Sequence, residues 1–235
     1  MILYQGPSRI DGKPIVVVAT IDSENPKTRD MVQVWIFRAD INPMEAQRIG
    51  ADRSICGDCP QRWYLDGSCY VIVVNAPRAV YARYMRGGYS DPENIANVTE
   101  ALKSRPIRLG AYGDPCAVPY EVWENLLGEG CNRWTGYTHQ WKLPENQAYR
   151  GILMASVDTV EEAAQAKAMG WRYFLVSHDA PMGDIPCPAY TSDTACDKCT
   201  ACDGTRGDTR SCGAANIVVL PHGAKQRKWN LNVVR

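Results

Sequence analysis

The chain has 235 residues, of which 45% are hydrophobic, and its 26 lysines and arginines balance 26 aspartates and glutamates. This composition predicts one globular domain over residues 1–235, and it excludes a disordered chain, collagen, a coiled coil and a strongly charged tail. The N-terminus lacks the pattern of a signal peptide, and the longest apolar runs are far shorter than a membrane span. We therefore expect a cytoplasmic protein with no membrane partner.

In the first half of the chain, three strands and three helices are predicted. The runs IVVVATI, VQVWIF and CYVIVV, the last within residues 69–74, are rich in β-branched residues and typical of buried strands. Asn42, Pro77 and Asp91 each stand at the start of a segment with the spacing of apolar residues expected for a helix. Strands and helices therefore alternate from the beginning of the domain.

The second half of the chain repeats this alternation. Strands are predicted at PIRLGAYG, NRWTGYTH, GILMASV, WRYFLVS and NIVVLPH, and helices at VPYEVWENLLGEG and TVEEAAQAKAMG. Such alternation is typical of parallel strands joined by helical crossovers, which is an α/β fold. Because the two halves together supply the number of strands that a closed barrel uses, we expect a (β/α)8-type barrel.

The cysteines fall mainly into two clusters. Thiols in a reducing compartment stay free unless a metal or a catalytic cycle uses them, so disulfides are the weaker interpretation. The second cluster contains Cys196, Cys199 and Cys202 at successive C-x2-C spacings, inside a Gly/Pro/Cys-rich excursion over residues 180–222. Three such thiolates with a fourth ligand from a more distant segment predict a tetrahedral zinc site, which would hold the excursion in place.

Other interpretations of the cysteines stay open. In the second cluster, an iron–sulfur cluster accepts the same spacing with Cys187 or Cys212 as its fourth ligand, and the thiols could also be free and buried. The first cluster, Cys56, Cys59 and Cys69, places three cysteines in one loop. These three could bind a second metal ion, hold an iron–sulfur cluster with one open iron, or fill space in a buried loop.

Polar residues follow most of the predicted strands, at the end where active sites of parallel α/β folds lie. The candidate catalytic residues are Asp114, His139, Asp158 and Asp179. A carboxylate nucleophile that attacks a sugar C1′, with a second carboxylate as acid and base, is the arrangement of glycosyl transfer, and Asp114 and Asp158 are the preferred pair. The alternative is that both aspartates cap helices and that His139 is a hydrogen-bonded histidine between aromatic residues.

A planar ligand such as a nucleobase would suit the aromatic residues beside these strand ends. Because the net charge is zero, binding of nucleic acid requires a local patch of basic residues. The candidate substrate-binding residues are Ser23, Asn25, Lys27, Tyr112, Tyr137 and Gln140.

The cysteine loop with its downstream histidine, the barrel pattern and the strand-end aspartates together resemble the tRNA-guanine transglycosylase superfamily, in particular its DNA-acting branch. The resemblance implies a structural zinc on Cys196, Cys199, Cys202 and His222. It also implies that an aspartate displaces guanine at C1′ and that a 7-deazaguanine takes the vacated position, in DNA rather than RNA. The family spacing is C-x-C-x2-C, whereas this chain has C-x2-C-x2-C.

The segments CGDCP, RLGAYGDP and WTGYTHQW are similar to segments of bacteriophage proteins, which implies the cytoplasm of an infected host. Two other function classes stay open. One is an iron–sulfur, radical-type enzyme that uses the cysteines as cluster ligands, and the other is a non-catalytic zinc-binding module for nucleic acid or protein. An enzyme predicts that Asp114 and Asp158 face a common pocket, whereas a binding module predicts that they only cap helices.

Overall fold

The computed structural model describes residues 1–128, 133–178, 181–205 and 215–221. The strands are β1 (Ile2–Pro7), β2 (Pro14–Thr20), β3 (Val32–Arg38), β4 (Ile107–Tyr112), β5 (Trp134–Thr138), β6 (Met154–Val157), β7 (Tyr173–Val176), β8 (Ile185–Pro186) and β9 (Ile217–Val219). The α-helices are α1 (Pro43–Ile49), α2 (Arg53–Cys56), α3 (Ala76–Met85), α4 (Pro92–Ser104), α5 (Tyr120–Gly128), α6 (Val160–Ala168), α7 (Pro188–Thr191) and α8 (Cys196–Cys199). Short 3-10 helices cover Trp63–Leu65, Pro115–Ala117, Gln140–Lys142 and Pro144–Gly151. Among these helices, none combines the length and the apolar character needed to cross a lipid bilayer.

The helices predicted from the sequence are confirmed, and their first turns show why they begin where they do. The side chains of Asn42, Asp91 and Thr159 accept hydrogen bonds from backbone N–H groups in the first turns of α1, α4 and α6. Proline follows Asn42 and Asp91 directly, at a position where its missing N–H costs nothing. Local sequence therefore fixes these helix starts.

One sheet runs through the molecule in the order β1-β2-β3-β4-β5-β6-β7-β9-β8. The first three strands pair antiparallel, and every pairing from β3 onward is parallel. Helical segments connect β3 to β4, β4 to β5, β5 to β6, and β6 to β7. The predicted α/β fold with parallel strands and helical crossovers is thus confirmed.

The barrel is not confirmed. Over the described ranges, β1 and β8 stand at the two ends of the strand order, and no ladder between them closes the sheet. The physical reason is the direction of β2, which the sequence analysis predicted to be one of the parallel strands. It instead forms an antiparallel pair with β3, and its other edge is occupied by β1, a strand that the sequence analysis did not predict.

The strand predicted within residues 69–74 is wrong, because this segment is irregular. Its side chains still alternate in exposure, since Val73 is buried while Tyr70, Ile72 and Val74 are about half exposed. Both edges of β3, the strand that precedes it in the chain, are already paired with β2 and β4. The segment therefore has no edge of β3 to join, and β-branched residues alone do not make a strand.

The two faces of the parallel part of the sheet are covered differently. Successive residues of a strand point to opposite faces. On one face, strand residues such as Ala155 join the main hydrophobic core with helix residues such as Ala163. On the other face, Met154 and Ile217 pack against Ala201 of the cysteine-rich excursion. The excursion therefore covers the face that lies opposite to the helices.

Candidate active site and thiol cavity

Three of the predicted catalytic residues meet at the carboxyl edge of the parallel strands. Asp114, His139 and Asp158 follow the ends of β4, β5 and β6, and these strands are adjacent and parallel. The backbone N–H of His139 donates to the Oδ2 atom of Asp114 over 2.9 Å. The sheet therefore brings residues that lie far apart in the sequence to one edge, where active sites of parallel sheets form.

Asp114 is buried, and both of its carboxylate oxygens are occupied. Oδ1 accepts from the backbone N–H of Cys116, and Oδ2 accepts from the hydroxyl of Thr138 and from the N–H of His139. Burial raises the pKa of Asp114, and the hydrogen bonds from Cys116 and Thr138 oppose this effect. With 8% of the residue exposed, Asp114 caps the following 3-10 helix and positions its neighbours.

Asp158 is more accessible. Its Oδ2 atom accepts from the side-chain amide of Gln61 over 2.9 Å, and its N–H donates to Glu162. The cap of α6 is Thr159, so the carboxylate of Asp158 is not used for capping. Gln61 accepts in turn from Ser68, which fixes the orientation of its amide. Of the two predicted carboxylates, Asp158 is the one that a substrate can approach.

The ring of His139 completes this edge. Its Nε2 atom is buried and has no hydrogen-bond partner. Asp114 and Glu162 lie close enough to interact with its charge, and Glu162 is also paired with Lys142 at 2.6 Å. A buried nitrogen of this kind is uncommon in folded proteins, and it is available to a bound molecule.

The first cysteine loop, which comprises residues 56–69, lies against the same edge. The backbone N–H of Cys59 donates to the carbonyl of Cys56, and the N–H of Cys69 donates to the carbonyl of Gln61. Burial raises the pKa of the Cys59 thiol, and the charges of Cys69, Asp114 and Asp158 raise it further. Cys59 therefore lies close to both strand-end carboxylates and to another thiol.

A buried arginine holds the first cysteine loop in shape. Arg62 forms an ion pair with Asp52 at 2.7 Å, and it also donates to the backbone carbonyls of Gly50 and Gly57. Gln140 ties the loop to the strand end, because its side-chain amide donates to the carbonyl of Cys56. Gly57 has a φ of +57°, and a Cβ atom there would lie 2.3 Å from the side chain of Gln140. A glycine is therefore required at this contact.

The hydroxyl of Tyr112 adds a second unpartnered group near the first cysteine loop. Tyr112 is buried at the end of β4, and its ring packs against Phe37. The hydroxyl has no hydrogen-bond partner, and it interacts electrostatically with Cys56 and Cys69. A polar group in this position can contact whatever the thiols bind.

A second group of thiols lines a cavity on the face of the sheet covered by the excursion. We call it the thiol cavity, and its cysteines are Cys187, Cys196, Cys199 and Cys202. Its volume is about 30 Å³. This is more than the 10–15 Å³ or so that one water needs, and too little for a nucleobase.

The wall of the thiol cavity is formed partly by β5. The hydroxyl of Tyr137 donates to the sulfur of Cys202; burial raises the pKa of this thiol, and the hydrogen bond opposes that effect. The hydroxyl of Thr135 is buried and has no hydrogen-bond partner. The cavity thus presents thiols together with an unused hydroxyl group.

A buried arginine also holds the segment that carries these thiols. Arg172 pairs with Asp203 at 2.9 Å and donates to the carbonyls of Ala201, Gly204 and Ala215. These contacts fix the chain on both sides of the undescribed residues 206–214. The segment is therefore anchored to the sheet next to Cys202.

The structure separates the remaining predicted site residues. Because β2 is antiparallel to β3, the loop after β2 lies at the amino edge of the parallel strands, and Ser23 and Asn25 accept N–H bonds within that loop. Lys27 donates from Nζ to the hydroxyl of Tyr190 over 2.7 Å. Asp179 and His222 lie outside the described residues.

Several contacts of the site were not found from the sequence. Gln61, Arg62 and Arg172 were missed, because a buried glutamine or arginine carries no motif and is recognised only through its partners. Across the described ranges, no three His, Cys, Asp or Glu side chains are grouped closely enough to hold a single metal ion. Comparisons of the chain with family models, with curated proteins and with solved structures give no match.

Proposed function

We propose that this protein is an iron–sulfur enzyme whose reactive centre is bound by Cys56, Cys59 and Cys69 at the carboxyl edge of the parallel strands. One observation carries the proposal: the first cysteine loop brings thiols close to the carboxylates at the strand ends. Cys56 and Cys59 both interact with Asp114, and Cys59 also interacts with Asp158. The parallel strands from β3 to β7 are neighbours in the order in which they occur in the chain, as they are in a (β/α) barrel. This order also supports an active site at this edge.

The ligand chemistry of the first cysteine loop suits an iron–sulfur cluster, because all three donors are cysteine thiols. Three cysteines can hold a four-iron cluster and leave one iron open to another ligand. When bound, such a cluster supplies one-electron, radical-type chemistry and an open iron for a substrate or cofactor.

The protein's own groups then bind and orient the substrate. Gln61 holds the carboxylate of Asp158, and Asp114 holds the backbone of His139. Asp158 and His139 are the groups that can exchange a proton with a substrate. The carboxylate of Asp158 does not cap α6, and Nε2 of His139 has no hydrogen-bond partner. Arg62 and Asp52 keep the first cysteine loop against this edge.

The substrate class that we propose is a base of a nucleic acid, DNA rather than RNA. Tyr70 and Tyr190 are 47% and 43% exposed, they interact with each other, and Lys27 lies 4.7 Å from the ring centre of Tyr190. Exposed aromatic rings beside a cation stack on bases and attract phosphates. Tyr70 directly follows Cys69, so this surface adjoins the first cysteine loop.

The accessibility of Asp158 favours a second candidate function, the exchange of guanine for a 7-deazaguanine, with zinc on the second group of cysteines. In that reaction an Oδ atom of Asp158 bonds to C1′ as the C1′–N bond to guanine breaks, and guanine leaves with the electron pair and a proton from His139. The incoming base then attacks C1′, returns a proton to His139 and releases Asp158. The carboxylate held by Gln61 at 2.9 Å is the observation that supports this route.

Elemental analysis and a visible spectrum of protein purified without air test the first proposal. We expect brown protein containing iron and sulfide, and a Cys59→Ala variant that loses iron. Cys116→Ser is the matched control, because Cys116 lies outside both groups of thiols and a serine hydroxyl can keep the hydrogen bonds that its thiol forms with Thr138 and Asp114. This variant should leave the iron content unchanged. Colourless protein without iron would overturn the iron–sulfur proposal.

A labelled-guanine exchange assay on single-stranded DNA and RNA tests the second candidate. Exchange by colourless, zinc-containing protein, lost in Asp158→Asn, would establish it. Full exchange in the Asp158→Asn variant would overturn Asp158 as the nucleophile. Zinc without exchange on either nucleic acid would leave a zinc-binding module as the better description of the protein.

A further inference from the structure

We propose that the thiol cavity binds hydrogen peroxide and that Cys196 and Cys199 reduce it, forming a reversible disulfide. This redox site lies on the face of the sheet that the excursion covers, away from the first cysteine loop at the strand ends. Its chemistry is independent of the iron–sulfur centre proposed for that loop. Three features carry the proposal: the size of the cavity, a buried hydroxyl in its wall, and the placement of two thiols on one helical turn.

The size of the thiol cavity suits a very small ligand. Its volume of about 30 Å³ is room for about two waters, at about 10–15 Å³ for each. Hydrogen peroxide contains two oxygen atoms, so it needs about the same space as two waters. An organic hydroperoxide or an organic disulfide is too large to enter. The cavity therefore selects among oxidants by size.

The wall of the cavity offers a hydrogen-bond donor that has no partner. Thr135 and Tyr137 are two residues apart in β5, so both side chains lie on the same face of the sheet, and both line the cavity. Thr135 is 1% exposed, and its hydroxyl makes no hydrogen bond. A buried hydroxyl without a partner is costly, and a peroxide oxygen in the cavity would accept its hydrogen bond. Thr135 therefore binds peroxide beside the thiols.

Cys196 and Cys199 are placed to form a disulfide with each other. They lie on the one turn of α8, in which the N–H of Cys199 donates to Ala195 and the N–H of Thr200 donates to Cys196. Residues three apart in an α-helix have Cα atoms about 5 Å apart, which is inside the range of about 4.4–6.8 Å that disulfides span. Both cysteines line the cavity, are partly exposed, and are not joined in a disulfide. The pair can therefore be oxidised without movement of the sheet.

The surroundings of the two thiols indicate which of them attacks first. The N–H of Cys196 donates to the carbonyl of Lys27 over 2.7 Å, and the amine of Lys27 lies close enough to interact with a negative charge on Cys196. A cation beside a sulfur atom stabilises the thiolate, which is the form that attacks. Lys27 also lies close to Cys187, but Cys196 shares a helical turn with a second thiol. Cys196 is therefore the attacking residue, and Cys199 resolves the product.

The reaction is a two-electron reduction of peroxide. The sulfur of Cys196 bonds to one oxygen of hydrogen peroxide as the O–O bond breaks, and the other oxygen leaves as hydroxide, which takes the thiol proton to form water. The sulfur of Cys199 then bonds to the sulfur of Cys196 as the S–O bond of the sulfenic acid breaks. The second oxygen leaves as water with the proton of Cys199. A dithiol reductant restores both thiols by exchange.

Peptide mapping by mass spectrometry after treatment with equimolar hydrogen peroxide tests the thiol pair. We expect a disulfide between Cys196 and Cys199 that dithiothreitol reverses. Cys199→Ser should stop at a sulfenic acid on Cys196, which dimedone traps, and Cys196→Ser should give neither product. Cys116→Ser should behave as the wild type does. The disulfide should also form in Cys59→Ala, whose first cysteine loop is expected to lose its iron, so a failure of that centre is distinguishable from a failure of this site.

The Thr135→Val variant tests the cavity itself. The substitution removes the hydroxyl and keeps a similar shape, and it should fold because the hydroxyl has no partner to lose. We expect the disulfide to form about tenfold more slowly with hydrogen peroxide, as for the loss of one hydrogen bond to the substrate. Alkylation of Cys196 by iodoacetamide should keep its rate. In the wild type, tert-butyl hydroperoxide should react much more slowly than hydrogen peroxide, and unfolding in urea should reduce that difference.

Several results would overturn the peroxide site. One is a wild-type protein that keeps both thiols in equimolar peroxide or that joins a different pair of cysteines. Another is a Thr135→Val variant that is oxidised at the wild-type rate. Zinc or iron that is bound by the wild type and lost in both Cys196→Ser and Cys199→Ser would show that these thiols are metal ligands instead. If the two serine variants do not fold, the peptide map of the wild type and the rate of Thr135→Val decide.

Discussion

The two cysteine-bearing regions are each held in place by one buried arginine. In the first, the guanidinium of Arg62 pairs with Asp52 and binds backbone carbonyls of the loop. In the second, Arg172 pairs with Asp203 and binds carbonyls beside Cys202. A guanidinium offers five N–H donors in a fixed plane, so one buried arginine can satisfy several carbonyls of an irregular segment.

The two regions differ in what surrounds their thiols. The thiols of the first cysteine loop lie close to the carboxylates of Asp114 and Asp158 at the strand ends, whereas those of the thiol cavity lie beside hydroxyl groups of β5 and a small apolar cluster. The same kind of anchor therefore serves a region at the strand ends and a region on the face of the sheet that the excursion covers. The comparison teaches that the position of a thiol group relative to the strand ends, and not the spacing of its cysteines, determines which polar side chains surround it.

The largest predicted effect comes from removing either arginine. Arg62→Ala and Arg172→Ala each remove the ion-pair partner of a buried carboxylate and a donor to several backbone carbonyls, and each should lower the free energy of unfolding by about 3–5 kcal/mol. Denaturant unfolding measures the loss of stability. Iron analysis of protein purified without air then separates the two regions: Arg62→Ala should lose the iron of the first cysteine loop, and Arg172→Ala should retain it. Arg48→Ala is the control, because Arg48 forms an exposed pair with Glu45. Equal loss of iron in the two variants would contradict independent anchoring of the two regions.

A glycine in each region gives the next largest effect. Gly204 has a φ of +70°, and a Cβ atom there would lie 2.7 Å from backbone atoms of Arg150, Ile152 and Leu153. Gly204→Ala should cost about 3 kcal/mol, as the sum of left-handed strain and overpacking against rigid backbone. Gly57→Ala should cost somewhat less, because a side chain can yield where backbone cannot, but moving Gln140 breaks its hydrogen bond to the carbonyl of Cys56.

The matched control for both glycines is Gly12→Ala. Gly12 has a φ of +73°, but nothing lies within 4 Å of an added Cβ atom. Its substitution should therefore cost only the backbone strain, about 1 kcal/mol. Thermal and denaturant unfolding of the three variants check the order, and a Gly12→Ala loss as large as that of Gly204→Ala would show that close approach is unimportant.

The sequence predicts much of this fold because its signals are local. Caps at Asn42, Asp91 and Thr159 fix helix starts, and the alternation of strand and helix predicts parallel strands. The direction of β2 and the pairing of β1 could not be predicted in the same way. Both depend on which strand edges are left free after the parallel strands have assembled, and that is a property of the whole sheet.

The candidate site is predictable in its strand-end residues and not in its supports. Asp114, His139 and Asp158 follow strands, so the parallel topology alone brings them to one edge. Their different roles follow from contacts of Gln61 and Thr138, which no spacing in the sequence reveals. The cysteine motifs indicate ligands for a metal, but the cavity that unites Cys187 with the C-x2-C-x2-C motif is a tertiary feature.

Asp114 offers a way to sharpen the comparison, because its backbone N–H also donates to Ile55 next to the first cysteine loop. Asp114→Asn replaces one of the two accepting oxygens with an NH2 group, which donates. At least one of the buried groups that donate to Asp114 therefore loses its partner. We expect a loss of about 1–3 kcal/mol in the free energy of unfolding. The first cysteine loop should bind iron less tightly, which iron analysis of the purified variant measures. Asp158→Asn, at a more accessible carboxylate, should lose less stability.

The smallest effect concerns acid stability near the first cysteine loop. Arg38 donates two hydrogen bonds to Asp40 and a third to Ser54, and the bonds from Arg38 hold the pKa of Asp40 below its ordinary value of 3.8. Because the folded state lowers this pKa, the contribution is present above pH 4 or so and is lost as the pH falls through the folded-state value. Asp40 is half exposed, so Asp40→Asn should cost less than about 1 kcal/mol at pH 7 and flatten the acid limb of a stability curve measured from pH 7 to pH 3. Parallel curves for the variant and the wild type would show that this pair does not contribute to the acid sensitivity of the region.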